Sequence, residues 1–278
     1  MLRVVAPLVA ALLVGATAAP LAAQTADAGV AVRKPRLLLI PESMVNQSAA
    51  QEYTQLKRQA AARRVLNNDE PQVQRVRAIA SRLIPQGARF NKNTSVWVWE
   101  VNVIDTPTIN AFCMPGGKIM VFTGILDQLK LTDDELAAVV GHEIAHALLE
   151  HGRARMSEAV LKNAGINLAS AYLGLSSVGT AALAQAAQLA VTLPYSRSHE
   201  TDADLVGIEL AARAGFDPHA AVAVWKKMST VASKQPPQML STHPANATRI
   251  HDLEAAMPKV LPLYQAALAE QSAPAQRP

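Results

Sequence analysis

The strongest chemical feature of the sequence is the motif His142-Glu143-Ile144-Ala145-His146. Successive residues of an α-helix are turned by about 100°, so the two imidazoles differ by about 40° and point to the same side. Two histidines one turn apart can therefore bind one zinc ion from a single rigid element. Glu143 lies about 100° from His142 on the same helix, where its carboxylate can reach a water at the metal. The motif thus predicts a zinc site with Glu143 as general base.

Two histidines leave a catalytic zinc site one protein ligand short. The segment Glu200-Thr201-Asp202-Ala203-Asp204 supplies acids, and Glu200 and Asp204 share a helix face at the spacing i, i+4. We therefore assign Glu200 as the third ligand and expect Asp204 to accept a hydrogen bond from the outer ring N–H of a ligand histidine. His199 is the alternative ligand. Asp202 is expected to be an exposed carboxylate near a helix start.

Other candidate ligands are excluded or left in minor roles. His151 falls about 180° from His142 on a continuous helix and would lie on the opposite face, so we exclude it as a ligand. Glu150 lies on the ligand side but is expected to be solvated. The single cysteine, Cys113, cannot form an intramolecular disulfide or a cysteine-based zinc cluster, so the metal must use histidine and carboxylate ligands.

The helix that carries the motif has a clear start signal. Thr132 and Glu135 form the pattern of a capping box, which predicts a helix from residue 133 to about 151 with Gly152 as its stop. Downstream we expect a helix over 199–214 that ends at Gly215, and a further helix that starts at Pro218 after Asp217.

The rest of the body combines helices with a small sheet. Residues 48–66 and 71–84 have helical spacing. The predicted core face of the second helix consists of Val73, Val76, Ile79, Ala80 and Leu83. Residues 96–104 and 118–122 are rich in β-branched and aromatic residues and predict strands, joined through the turn-like residues 114–117. A last helix is expected over 244–257, ending before Pro258.

Composition indicates a folded, exported chain. Its 278 residues are 50% hydrophobic, with 26 Lys+Arg against 22 Asp+Glu, which excludes a disordered chain. Residues 4–26 carry no charge, and the apolar start of this stretch predicts a signal peptide over residues 1–23 that is cleaved near Ala23. We expect a periplasmic protein, since no lipoprotein cysteine follows that point. An extended lead-in over 24–42, a domain over 43–260 and a flexible tail over 261–278 complete the predicted organisation.

Two segments raise the question of partners. Residues 57–92 hold nine basic and two acidic residues, but these charges are spread along helix faces, so we expect solvated surfaces and no nucleic acid partner. Residues 163–196 carry no charge and read as two helices with a break, buried in or beside the core. Peripheral membrane association through 163–196 stays open as an alternative. The sequence does not indicate an oligomeric state.

Several motifs in a consistent order resemble the M48 family of zinc metallopeptidases. The motifs are Thr108-Ile109-Asn110-Ala111-Phe112-Cys113-Met114-Pro115-Gly116-Gly117-Lys118, Thr123-Gly124-Ile125-Leu126, residues 134–146 with the two histidines, Arg197-Ser198-His199-Glu200-Thr201-Asp202-Ala203-Asp204, and Ser241-Thr242-His243-Pro244 followed by Arg249. The resemblance implies an α+β fold, mainly helical and zincin-like, with a small β-sheet flanking the active-site helix. It also implies one zinc ion per chain.

The resemblance implies roles for further residues. It implies that His142, His146 and Glu200 bind zinc and that Glu143 is the general base. It also implies that Asp204 lies behind these residues and contacts a ligand. It implies that His243 and Arg249 face the metal across the cleft, where they would stabilise an oxyanion. It also implies that backbone groups of Asn110 and Ala111 bind an extended peptide by β-augmentation.

The function expected from these features is that of an exported zinc endopeptidase in protein quality control. Its partners would be unfolded or misfolded envelope polypeptides. The alternative is a chaperone-like binding protein for unfolded clients, in which His243 closes a structural zinc site as the fourth ligand and residues 163–196 grip the client. A third reading, an integral membrane protease, would need residues 163–196 to span the bilayer.

Overall fold

Helices form most of the fold, and a small sheet interrupts them where the sequence is poor in alanine. The structure, a computed structural model, describes residues 29–32, 37–172, 195–232, 238–243 and 247–273. The described helices are α1 (Glu42–Ala62), α2 (Glu70–Leu83), α3 (Thr123–Leu129), α4 (Asp133–Leu148), α5 (His151–Tyr172), α6 (Arg197–Arg213), α7 (Ala220–Ala232), α8 (Gln238–Thr242) and α9 (Ala247–Ser272). The strands are β1 (Glu100–Ile104), β2 (Ala111–Met114) and β3 (Lys118–Phe122). The predicted α+β, mainly helical fold is confirmed.

Amphipathic spacing in the second helix predicts its packing correctly. All five residues assigned to the core face of α2 are buried in the main hydrophobic core. The Asp69 side chain caps this helix by accepting a hydrogen bond from the Gln72 amide at 3.1 Å. The helix α1 begins at Glu42, six residues before the predicted start.

The sheet has three strands in the order β1-β3-β2, with β3 parallel to β1 and antiparallel to β2. Gly116 and Gly117, with φ of 76° and 82°, form the tight turn of the β2–β3 hairpin. The strand expected over 96–104 is shorter than predicted, because residues 92–96 form a 3-10 turn and Val96 and Val98 are 80% and 69% exposed. Strand β2 pairs only with β3 among the described strands, which leaves its other edge open.

The motif helix α4 begins as predicted and ends early. The Thr132 hydroxyl accepts from the Glu135 amide at 3.3 Å, and the Glu135 carboxylate accepts from the Thr132 amide at 2.7 Å, so the capping box is confirmed. The helix ends at Leu148 instead of residue 151. Glu150 takes a left-handed conformation, with φ of 56°, and breaks the helix. Gly152, predicted as the stop, lies inside α5.

Two glycines let α4 and α6 touch through their backbones. A Cβ added to Gly207 would lie 2.9 Å from the His142 amide nitrogen, and one added to Gly141 would lie 3.0 Å from the Gly207 carbonyl oxygen. Such distances are shorter than ordinary contacts, so only glycine permits this approach. The crossing brings the start of α6, with Glu200, against the motif histidines of α4.

The prediction that the last helix ends before Pro258 was wrong. Helix α9 continues through Pro258 and Pro262 to Ser272, so residues 261–272 are helical and do not form the flexible tail expected from the sequence. Each proline removes one backbone hydrogen bond. Burial of an apolar stripe that includes Val260 and Leu263 offsets this loss and keeps the helix on the core.

Some predictions fall on residues outside those described. These include the signal peptide 1–23, most of the uncharged segment 163–196, and the start of the last helix at residues 244–246. In the described part of the lead-in, Val30 is buried and its amide donates to Glu209 Oε2 at 2.6 Å. Within the described ranges, no helix has the length and apolar character needed to cross a membrane.

The glycine contact predicts a stability difference between two matched substitutions. Gly207→Ala should lower the free energy of unfolding by about 1–3 kcal/mol, because the methyl group overpacks the backbone contact between α4 and α6. Gly152→Ala should be neutral or stabilising by up to about 1 kcal/mol, since its Cβ would meet only Pro115 at 3.7 Å within a helix. Urea unfolding of both variants measures the difference; equal midpoints would contradict the packing argument.

Candidate active site

Four buried side chains direct their donor atoms to one point. His142 and His146 come from α4, Glu200 from the first turn of α6, and His243 follows α8. His142 Nε2 lies 3.1 Å from His146 Nε2 and 3.2 Å from His243 Nδ1. Glu200 Oε1 lies 3.0 Å from His243 Nδ1 and 3.4 Å from His146 Nε2. These four donor atoms lie within 4.8 Å of one another.

The donor set fits one zinc ion. Ligand bonds of about 2.0–2.1 Å in a tetrahedron place neighbouring donors about 3.3 Å apart, and the four contacts given above between these donors are 3.0–3.4 Å long. Three ring nitrogens and a carboxylate in such contact cannot all be satisfied by hydrogen bonds to one another, since neutral imidazole carries a single N–H. A cation among them resolves this conflict.

A buried ion pair holds the ligands from behind. Asp204 Oδ1 lies 3.0 Å from His142 Nδ1, so this carboxylate faces the outer nitrogen of the ring. Arg249 binds both oxygens of Asp204, at 2.6 and 2.7 Å, and its Nη1 lies 2.6 Å from Glu200 Oε2. The guanidinium also lies 3.7 Å from the centre of the Trp225 ring. This network fixes the carboxylates relative to the histidines.

The expectation that Arg249 faces the cleft is not met. Its side chain is 2% exposed, lies between Glu200, Asp204 and Trp225, and does not line the cleft. A buried pair of carboxylates needs a nearby cation, and Arg249 supplies it. The sequence alone does not distinguish this task from the stabilisation of an oxyanion.

The electrostatics of the site favour charged carboxylates. Burial opposes ionisation of Glu200 and Asp204, but the neighbouring histidines and Arg249 outweigh burial and lower both pKa values. Burial alone would lower the pKa of His142, yet hydrogen bonds to Asp204 and Glu200 raise it to about 9. Burial lowers the pKa of His146 well below its usual value, which keeps a lone pair free for a metal.

Glu143 and His243 face a cleft of about 650 Å³. His243 Nε2 lies 3.6 Å from Glu143 Oε1, and this carboxylate oxygen has no hydrogen-bond partner among the described residues. Burial raises the pKa of Glu143, opposed by the nearby histidines. A carboxyl group with a raised pKa, open to a cleft beside a metal site, is suited to proton transfer near neutral pH.

The open edge of β2 forms one wall of this cleft, and α1 forms the other. Asn110 and Ala111 line the cleft on the β2 side. The opposite wall is a stripe on α1 with helical spacing: Val45, Ser48, Ala49, Glu52, Gln55, Leu56 and Gln59. The cleft is thus a groove between a strand edge and a helix face.

Sequence reasoning missed three contributors to the site. The Tyr195 ring stacks on His146 with a centroid distance of 3.9 Å, and its amide donates to the Thr242 carbonyl at 3.0 Å. The Arg155 guanidinium lies 3.5 Å from the centre of the Tyr195 ring. His151 Nδ1 lies 3.0 Å from His146 Nδ1. No spacing in the sequence signals these contacts, because they depend on how α5 and α6 pack.

Two further histidine expectations can be compared with the structure. His199, the alternative ligand, is not among the four converging donors; its ring stacks on His151 at 4.3 Å. His151 is likewise not one of the four converging donors. However, the prediction that His151 lies on the opposite face from the ligands was wrong. That prediction assumed a continuous helix, and the break at Glu150 instead turns His151 toward His146.

Comparisons with known proteins agree with this geometry. The sequence profile of peptidase family M48 matches residues 70–257, more than half of the chain. Mitochondrial metalloendopeptidase OMA1 of Schizosaccharomyces pombe is 39% identical over 58% of this chain and 47% of its own length. Metalloprotease LoiP of Escherichia coli K12 is 31% identical over 51% of this chain and 56% of its own length. The beta-barrel assembly-enhancing protease of Escherichia coli O157:H7 is 29% identical over 67% of this chain and 39% of its own length.

The chain spans about half of the length of these relatives. The family match runs from the start of α2 into α9, and the α1 wall of the cleft lies outside it. Both motif histidines, the α6 acids, His243 and Arg249 fall inside the matched region. The chain therefore belongs to peptidase family M48.

Proposed function

We propose that this chain is a zinc-dependent endopeptidase that hydrolyses peptide bonds of unfolded or damaged envelope proteins. The observation that carries the proposal is the convergence of His142, His146 and Glu200 on one point, with the Glu143 carboxylate beside it and open to the cleft. A site of three protein ligands beside a free carboxylate is the arrangement of hydrolytic zinc enzymes.

His142, His146 and Glu200 would hold the metal. When bound, zinc supplies Lewis acidity, which polarises a carbonyl group and lowers the pKa of a water molecule. Asp204 orients His142 through the contact at its outer nitrogen, and Arg249 keeps Asp204 and Glu200 in place.

Glu143 moves the proton. Its Oε1 takes a proton from the attacking water and passes it to the amide nitrogen of the leaving peptide, so one carboxylate serves both halves of the hydrolysis. Burial raises the pKa of Glu143, and a carboxylate with a raised pKa is a stronger base toward the proton of the attacking water.

His243 acts on the carbonyl oxygen. Its Nε2 points to the side of Glu143 and the cleft, where a donor can stabilise the oxygen as it gains negative charge. The substrate backbone would pair with the free edge of β2 from Ala111 onward, next to Asn110, whose carbonyl already accepts from the Phe122 amide of β3. This pairing would fix the scissile bond relative to Glu143.

The substrate class follows from the shape of the cleft. A strand edge recognises backbone amides and carbonyls, which every extended polypeptide offers and a folded domain conceals. Unfolded chains therefore fit, with little demand on their sequence. Export is supported by the reading of residues 1–23 as a signal peptide, and one bacterial relative is named as a protease that enhances β-barrel assembly.

One observation favours the alternative of a closed structural site. His243 Nδ1 is itself among the four converging donors, so His243 could complete a tetrahedral zinc site that leaves no open position. The chain would then bind unfolded clients without cleaving them. The proposed enzyme differs in that it requires Glu143, which a structural site does not use.

Glu143→Gln should abolish proteolysis without loss of metal. The amide cannot accept the water proton, so hydrolysis of an unfolded substrate such as reduced casein should fall by about 10²-fold or more. Zinc content should stay at one ion per chain, because Glu143 is not a ligand. The control is Glu254→Gln, which changes an exposed carboxylate on α9 and should retain full activity. Equal cleavage by wild type and Glu143→Gln would contradict the mechanism.

His243→Ala separates the two candidate functions. In the proposed enzyme it should lower kcat by about 10²–10³-fold, the effect of removing one oxyanion donor, and zinc should remain bound by the other three ligands. Chelator competition measures the metal and a peptide assay measures the rate. A variant that loses zinc readily while the wild type shows no hydrolysis would favour the closed structural site.

A further inference from the structure

The break after α4 redirects the chain toward the metal site. Glu150 adopts a left-handed backbone conformation, φ 56°, between the end of α4 at Leu148 and the start of α5 at His151. This conformation disfavours residues with a side chain, and glycine or asparagine usually occupies it. The bend turns His151, which a continuous helix would carry away from the ligands, back against His146.

His151 meets the outer nitrogen of His146. The two Nδ1 atoms are 3.0 Å apart, and the ring centroids are 5.0 Å apart at 72°. His151 is fully buried. A hydrogen bond between two ring nitrogens requires one to donate and the other to accept. Which of the two rings donates and which accepts therefore depends on which nitrogen of His146 carries its proton.

The metal site decides this choice. His146 Nε2 is the atom that points to the other donors, so that nitrogen must present a lone pair to bind a cation. The proton of neutral His146 then lies on Nδ1, which donates to Nδ1 of His151. The proton of His151 then lies on its Nε2, a buried atom that has no hydrogen-bond partner among the described residues.

We propose that His151 is a positioning residue that accepts the Nδ1–H of His146 and so holds this ligand in the tautomer and orientation that bind zinc. The inference rests on the proposed zinc site. It gives the two motif histidines different outer partners: Asp204 faces Nδ1 of His142 and His151 faces Nδ1 of His146, each at 3.0 Å. Outer partners of metal-binding histidines fix ring orientation and ligand basicity.

The position of His151 is itself supported by packing. Its ring stacks on His199 at 4.3 Å with an interplanar angle of 18°, and the opposite face of the site is closed by Tyr195, which stacks on His146. His151 is therefore held between a ligand on one side and a packing residue on the other. This arrangement provides a matched control, because His199 touches His151 but donates no atom to the metal cluster.

The test measures zinc affinity of the purified holoprotein by competition with a chelator. His151→Leu removes the acceptor with similar bulk and should weaken zinc binding by about 10–100-fold. His151→Asn can place its amide oxygen near the position of Nδ1 and should stay within about threefold of wild type. His199→Leu removes only the stacking partner and should also stay near the wild-type value. Hydrolysis of casein by each variant is a second measurement.

The outcomes are distinct. Wild-type zinc affinity in His151→Leu, weak binding in both His151→Leu and His151→Asn, or an equal loss in His199→Leu would each overturn the proposal. If His151→Leu does not fold, His151→Gln replaces it: its acceptor lies one bond further out, so it should bind zinc more weakly than His151→Asn, and equal affinities would overturn the inference. Absence of zinc from the wild type would instead reject the proposed function.

Discussion

The site depends on the contact between α4 and α6 at Gly141 and Gly207. At this crossing the two backbones touch, so ligands on two separate helices reach one point with short side chains. A wider separation of the two backbones would move Glu200 away from His142 and His146 and lengthen the present donor spacings. The remaining elements support this crossing: α2 and α7 pack against α4, and α9 packs against α6.

The crossing also creates a problem of buried charge. Glu200 and Asp204 are buried carboxylates, and such groups are tolerated only when cations and hydrogen bonds compensate for lost hydration. Arg249 compensates both from α9, and His142 lies between them. A bound zinc ion adds the positive charge that the converging donors still need. Structure and chemistry are therefore coupled, since removal of the arginine leaves Glu200 and Asp204 with only the histidines to compensate their buried charge.

Much of the fold follows from local sequence rules. The capping box at Thr132, the core face of α2 and the helical order around the motif are all set by neighbouring residues, and the structure confirms them. The exceptions arise where tertiary packing outweighs local preference. Burial of Val260 and Leu263 carries α9 through two prolines, and Glu150 accepts a left-handed conformation that no sequence signal marks. Likewise, the family resemblance implied that Arg249 faces the metal across the cleft, but only the packing of α9 shows that it lies behind the ligands. The roles of the site residues stay proposals that the variants test.

The central claim is that two histidines of α4 and one glutamate of α6 bind a single zinc ion. X-ray absorption at the zinc edge of the purified protein tests this claim most directly, because it reports the element, the ligand type and the bond lengths together. We expect one zinc ion per chain with nitrogen and oxygen ligands only, at about 2.0–2.1 Å, and scattering typical of at least two imidazoles. Absence of zinc, or a sulfur ligand at about 2.3 Å, would contradict the claim.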